Sequence, residues 1–233
     1  MLRTPITLAA AGIAAALALS ACGTAQLGAA AVTSDSRISA ATLAAEVQDL
    51  NQAHQADKKV QLQFPSAQTP QVVLSWLLRF RIRERMAARY HLTVSAADAQ
   101  RALDQASAQA RQSGVTLQEL AVANGVPPDQ MSNLGRYLAI QNAVLDRMDG
   151  GHVPAGTAAQ QALSNRFGVS QCRAAKDLGV KVNPQYGALD YNQIAIVATR
   201  AVAVCPSDVF WLLSLAARSC PSGEKASAWI ASL

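Results

Sequence analysis

The sequence predicts a mainly α fold with short extended segments near its C-terminal end. Three observations predict it. Apolar residues recur at helical spacing between Ala40 and Leu178, helix-capping residues stand at the breaks, and β-like texture is confined to residues 180–197. No internal repeat is present.

The elements follow in order. Ser39 caps a helix running to about Ala56, with Ala40, Leu43, Val47 and Leu50 on one face. Lys58–Thr69 is polar, contains Pro65 and precedes Pro70, and reads as a loop. Gln71–Tyr90 is the clearest helix. Leu74, Leu78, Ile82, Met86 and Tyr90 recur every fourth residue, and Val73, Trp76, Leu77 and Phe80 form an adjacent stripe. So wide an apolar arc predicts packing on more than one side. Arg79, Arg81, Arg83, Arg85 and Arg89 occupy the remainder, read as a solvated face whose arginine stems cover apolar neighbours, with a basic surface for acidic partners as the other reading. Ser95 with Asp98 opens a helix to Gln112, and Thr116 with Glu119 opens Leu117–Ala123. Pro127-Pro128-Asp129 starts a long helix that stops at Gly150-Gly151, and Thr157 starts the last one, closing at Leu178-Gly179. Val180–Val182 is β-like, Asn183–Gly187 is a turn, and Ile194–Val197 is a short strand.

Ahead of these elements stands a leader. Arg3 and the amino group are positive, and an uncharged apolar run extends from Ile6 to Leu19. The run is too short for a transmembrane helix, which needs about 20 apolar residues. With the small residues that follow, it is the pattern of a secretory signal. Leu19-Ser20-Ala21-Cys22 resembles the lipobox at which bacterial lipoprotein signal peptidase cuts. Residues 1–21 are therefore expected to be removed, Cys22 to carry lipid, and residues 22–36 to form a flexible tether.

The remaining 212 residues suffice for one domain with a real core. They carry 19 basic and 15 acidic residues. A mildly basic chain is drawn weakly to anionic membranes, and export argues against nucleic acid as a partner. With Cys22 lipidated, Cys172, Cys205 and Cys220 remain, which allows one disulfide and one leftover thiol. Cys205 and Cys220, each followed by Pro, are the candidate pair, and Cys172 reads as a packed small residue.

Nothing in the chain announces catalysis. His54, His91 and His152 have no Cys, His or carboxylate at metal-ligand spacing. No GxSxG, phosphate-binding loop or GxGxxG occurs. No cofactor, metal or enzymatic activity is expected.

The order of helices, the break Leu92-Thr93-Val94-Ser95 and the turn Asn124-Gly125-Val126-Pro127-Pro128 resemble the SurA-like N-terminal domain of extracytoplasmic foldases. The segment Val182-Asn183-Pro184-Gln185-Tyr186-Gly187 is similar to an element of SurA- and PrsA-type lipoproteins from high-GC Gram-positive bacteria, with Gln185 where a basic residue is usual. The resemblance covers residues 37–197 and implies a helical domain of SurA N-terminal or trigger-factor C-terminal type. It implies binding of unfolded or exported polypeptides on the outer face of the cell membrane. Full-length members insert a parvulin isomerase domain, but Asp149–Gly156 is only a linker. Little or no isomerase activity is therefore expected. A holdase also needs exposed apolar surface. Trp76, Leu77, Phe80 and Tyr90 are the candidate client contacts, with a place in the core as the other reading. A structural or assembly lipoprotein with one envelope partner is the alternative function.

Residues 198–233 break the pattern with two of the three Trp and the apolar run Val209–Leu213. They read either as a packed terminal helix or as an atypical tail, disordered or produced by a shifted reading frame.

Overall fold

In chain order the elements are β1 (Ala29–Val32), β2 (Arg37–Ser39), α1 (Ala40–Ala56), α2 (Thr69–Arg89), α3 (Ala96–Gln112), α4 (Leu117–Ala123), α5 (Met131–Asp149), α6 (Thr157–Asp177), β3 (Lys181–Val182), β4 (Ala188–Asp190) and β5 (Ala195–Val197). The structure is a computed structural model and describes residues 28–151 and 156–198. The predicted fold class holds: among the described residues six helices dominate, with few short strands. No helix among the described residues is long and apolar enough to cross a membrane. The leader, Cys22, Cys205, Cys220 and nearly all of the tail lie outside the described residues.

A side-chain cap sets three of the six described helix starts. The Ser39 hydroxyl accepts from the Thr42 amide at 2.9 Å. Ser95 and Thr116 each form a complete capping box, with Asp98 and Glu119. Hydrogen bonds from Ser95, together with Arg101, hold the Asp98 carboxyl at about 2, below its ordinary 3.8. A depressed folded-state value stabilises the fold above pH 3.8, and the contribution disappears as pH falls to about 2. Asp98→Asn is therefore expected to be less stable than wild type near neutrality. Denaturant midpoints measured against pH should converge as the solution approaches pH 2.

The centre of the molecule is α2, which packs against α1, α5, α6 and β5. Leu74, Leu78, Ile82 and Met86 on α2 are fully buried with Leu43 and Leu50 of α1 and Ile140 and Val144 of α5. On α3, Ala102, Ala106 and Ala110 are buried. These small side chains let α3 lie close against α5. Gly135 marks the closest approach, since a Cβ there would stand 2.7 Å from Leu103 Cγ and 2.9 Å from the Ala99 carbonyl.

The strands correct the expected tether. β1 is the middle strand of an antiparallel sheet of order β2-β1-β3. Ala29, Ala30 and Ala31 are each at most 1% exposed. The intervening turn is built by Thr33, whose hydroxyl donates to Asp35 Oδ1 at 2.8 Å and receives the Ser36 amide at 3.0 Å. Residues 29–36 are thus part of the fold. An Ala-rich stretch has no period-2 signal, and its strand exists only through partners distant in sequence.

The Asn183–Gly187 turn ties the sheet together. Asn183 donates its amide to Ala30 O at 2.9 Å and its side-chain Nδ2 to Ala29 O at 3.1 Å. Its Oδ1 accepts from the Gln185 amide, while the Gln185 side chain is exposed. β4 and β5 then form a separate antiparallel hairpin. It rests on α2, where Ser75 Oγ accepts the Ile196 amide at 2.7 Å.

Candidate functional site

The residues expected to meet a client lie on α2, and the structure encloses most of them. Trp76 is 1% exposed, Phe80 8% and Leu77 9%. Tyr90 is half-buried against the same core. Trp76, Phe80 and Tyr137 of α5 form a triangle of rings with centroids 5.7–6.0 Å apart. The Trp76 indole N–H donates to Asn124 O at 2.9 Å, which satisfies its polar edge. The expected cradle is therefore interior. A helix with four neighbours has no free apolar face, so the width of its stripe reflects central placement. Among the described residues, Val115 is the one large apolar side chain that is exposed, at 38%.

Next to the rings lies a group the sequence reading put in solvent. Arg81, Arg85 and Arg89 are exposed, but Arg83 is 3% exposed and Arg79 half-buried. The Arg83 guanidinium stands 4.4 Å from the ring centroids of both Tyr137 and Phe167. Nη2 donates to Tyr137 Oη at 2.8 Å and Gln141 Oε1 at 2.9 Å, and Nη1 donates to Gln171 Oε1 at 3.1 Å. Among the described residues no carboxylate forms an ion pair with it. Its charge is balanced by two ring faces and three neutral oxygens. Burial pushes the guanidinium down from its ordinary value, but an arginine still carries its charge at neutral pH. The clue in the sequence was position: Arg83 follows Trp76 and Phe80 at i+7 and i+3, on their buried stripe.

Arg79 does a related job one turn earlier. It lies 4.9 Å over the Trp76 ring and donates from Nε to Ile194 O at 2.9 Å and from Nη2 to Gln193 O at 3.3 Å. Ile194 has a positive φ of 46° and is fully buried. Such a conformation is strained for a β-branched residue. Arg79 and the Asp190 carboxylate, which accepts the Asn192 amide at 2.8 Å, hold the turn in it. On the other flank of α2, Glu84 meets Arg136 in a two-pronged pair, with the second prong at 2.9 Å, and Arg136 also donates to Val94 O at 2.8 Å.

These groups join helices and do not converge on open space. An open groove of about 360 Å³ lies elsewhere, between α3, α4 and α5, lined by Gln100, Leu103, Asp104, Leu117 and Met131 among others. Its rim holds no nucleophile–base pair. Among the described residues no group of three or more His, Cys, Asp or Glu side chains is placed to hold a metal. His91 is exposed and His54 half-buried, and His152 lies outside the described residues.

Cys172 differs from its expected state. It is 1% exposed, as a packed residue should be, but it is disulfide-bonded. The proposed Cys205–Cys220 pairing lies outside the described residues. Comparison with protein-family models, with curated proteins and with solved structures gave no match.

Proposed function

We propose that this chain is a lipid-anchored extracytoplasmic protein, built on a helical scaffold of SurA N-terminal type, that binds exported polypeptide without catalysis. The observation that carries the reading is the leader with Leu19-Ser20-Ala21-Cys22, followed within a few residues by the ordered strand β1. The disulfide at Cys172 supports an oxidising compartment outside the cytoplasm. The buried Trp76, Leu77 and Phe80 favour a limited set of partners over general capture of unfolded chains. A general holdase needs a contiguous exposed apolar patch of a few hundred Å² or more.

Two measurements test the two halves of this reading. Mass spectrometry of the N-terminal peptide should find acylated Cys22 as the first residue, and Cys22→Ser should release the protein from membranes. An unmodified Cys22 would overturn the anchor. Light scattering of a heat-unfolding test protein should fall no further with the mature chain than with an inert control. Suppression at near-stoichiometric ratio would restore the general holdase and place client contacts beyond those named on α2.

A further inference from the structure

The leader leaves little slack between anchor and fold. Six residue steps separate Cys22 from Gly28, where the described chain begins. At full extension they span no more than about 22 Å. Whatever surrounds Gly28 is therefore held near the lipid headgroups, and this statement rests on the lipid-anchor reading above.

That end of the molecule is basic. Val32 pairs with Arg37 on one side and with Lys181 on the other. Directly paired residues share a face of the sheet, so both exposed cations stand on the same side. A Cβ added to Gly28 would lie 3.5 Å from Arg37 Nη2, which places this guanidinium at the point of entry of the tether. Around the sheet, Arg85 acts on the Asp35 carboxyl, which its Thr33 hydrogen bond and this charge hold below the ordinary value. The Ser34 amide donates to Leu178 O at 2.7 Å, which brings the last turn of α6 alongside. That turn carries Arg173, Lys176 and Asp177, and Asp177 pairs with Arg89 at 2.7 Å.

This end thus gathers six exposed bases, Arg37, Arg85, Arg89, Arg173, Lys176 and Lys181, against two acids, Asp35 and Asp177. The other described residues hold ten bases and eleven acids. All of the positive excess of the described residues therefore sits where the anchor leaves the fold. We infer that the β2-β1-β3 face, with Arg37 and Lys181 on its outer strands either side of Val32, is a docking surface for anionic phospholipid headgroups and sets the protein's orientation on the membrane. Long-range attraction alone is screened within about 8 Å at physiological salt. The short tether keeps these bases close enough for contact.

The test uses the mature chain with Cys22→Ser, so that no acyl chain contributes. Its co-sedimentation with vesicles of phosphatidylcholine plus roughly 30 mol% phosphatidylglycerol is compared with phosphatidylcholine alone, at low salt and at about 0.5 M salt. Binding is expected on the anionic vesicles only, and is expected to vanish at high salt. Each base near the surface is worth about 1 kcal/mol, roughly fivefold in affinity, so Arg37→Glu with Lys181→Glu should weaken binding by at least an order of magnitude. Arg101→Glu with Arg111→Glu, on the exposed face of α3, should leave it unchanged. Equal binding to neutral vesicles, no binding, or equal losses in both double variants would overturn the inference. Acylation of Cys22 is measured separately, so failure of the anchor reading and failure of this surface give different results.

Discussion

Arg83→Ala is expected to lower stability by about 3 kcal/mol, or a thermal midpoint by about 6–12 °C for a domain of this size. The loss has two sources. The side chain fills the slot between Tyr137 and Phe167, and its removal leaves a cavity between rings that α2, α5 and α6 hold in place. It also strips the donors from Tyr137 Oη, Gln141 Oε1 and Gln171 Oε1. Arg83→Met separates the two. It refills the slot with apolar volume, and replacing buried charge by packed apolar atoms is often neutral. Methionine should therefore recover most of the loss if packing dominates, and little if the hydrogen bonds do. A change below about 0.5 kcal/mol in the alanine variant would show that the guanidinium is not a structural bolt.

Gly187→Ala should be at least as damaging, about 3 kcal/mol or more by chemical denaturation. Gly187 has φ 111° and ψ −150°, a region open essentially to glycine alone. A Cβ would also stand 2.2 Å from the Val197 carbonyl oxygen, which is backbone and cannot swing aside. Ala188 pairs with Val197, so the clash falls at the open end of the β4–β5 hairpin, away from its turn. The hairpin would have to move away from α2, exposing Ile196 and breaking the Ser75 bond. Gly168→Ala gives the opposite sign as a control. It lies within α6 with open space around it, and alanine there should stabilise by about 0.5–1 kcal/mol. Equal stability of Gly187→Ala and wild type would remove the steric reason for the glycine.

What could be read from sequence was the chemistry that acts within one turn. Ser95 with Asp98 and Thr116 with Glu119 set helix starts to the residue, because a cap needs only its neighbours. Gly150 ends α5 in the left-handed conformation that a glycine stop implies. Elements created by distant partners were not legible. β1 is three alanines and a valine, and only β2 and β3 make it a strand. β4, Ala188–Asp190, carries no strand signal of its own either, and only its pairing with β5 makes it one. The candidate site failed differently. Trp76 and Phe80 looked like surplus apolar surface, yet α5 supplies Tyr137 to cover them. Arg83 looked solvated because of its charge, although its helical position already put it on the buried stripe.

The position of β1 bears on how the chain can fold. Ala31 pairs with Val182, so the first described strand waits for nearly the last described segment. Synthesis at about 5–20 residues per second would separate the two by about 8–30 seconds. Contacts among α1–α5 are available earlier, whereas those of α2 with α6 and β5 and the β1–β3 pairing must wait. During that interval the N-terminal strand has an unpaired edge on its β3 side, and Cys22 stands only a few residues away. On the lipid-anchor reading proposed above, the modifying enzymes reach the leader most readily before the β1–β3 pairing has formed.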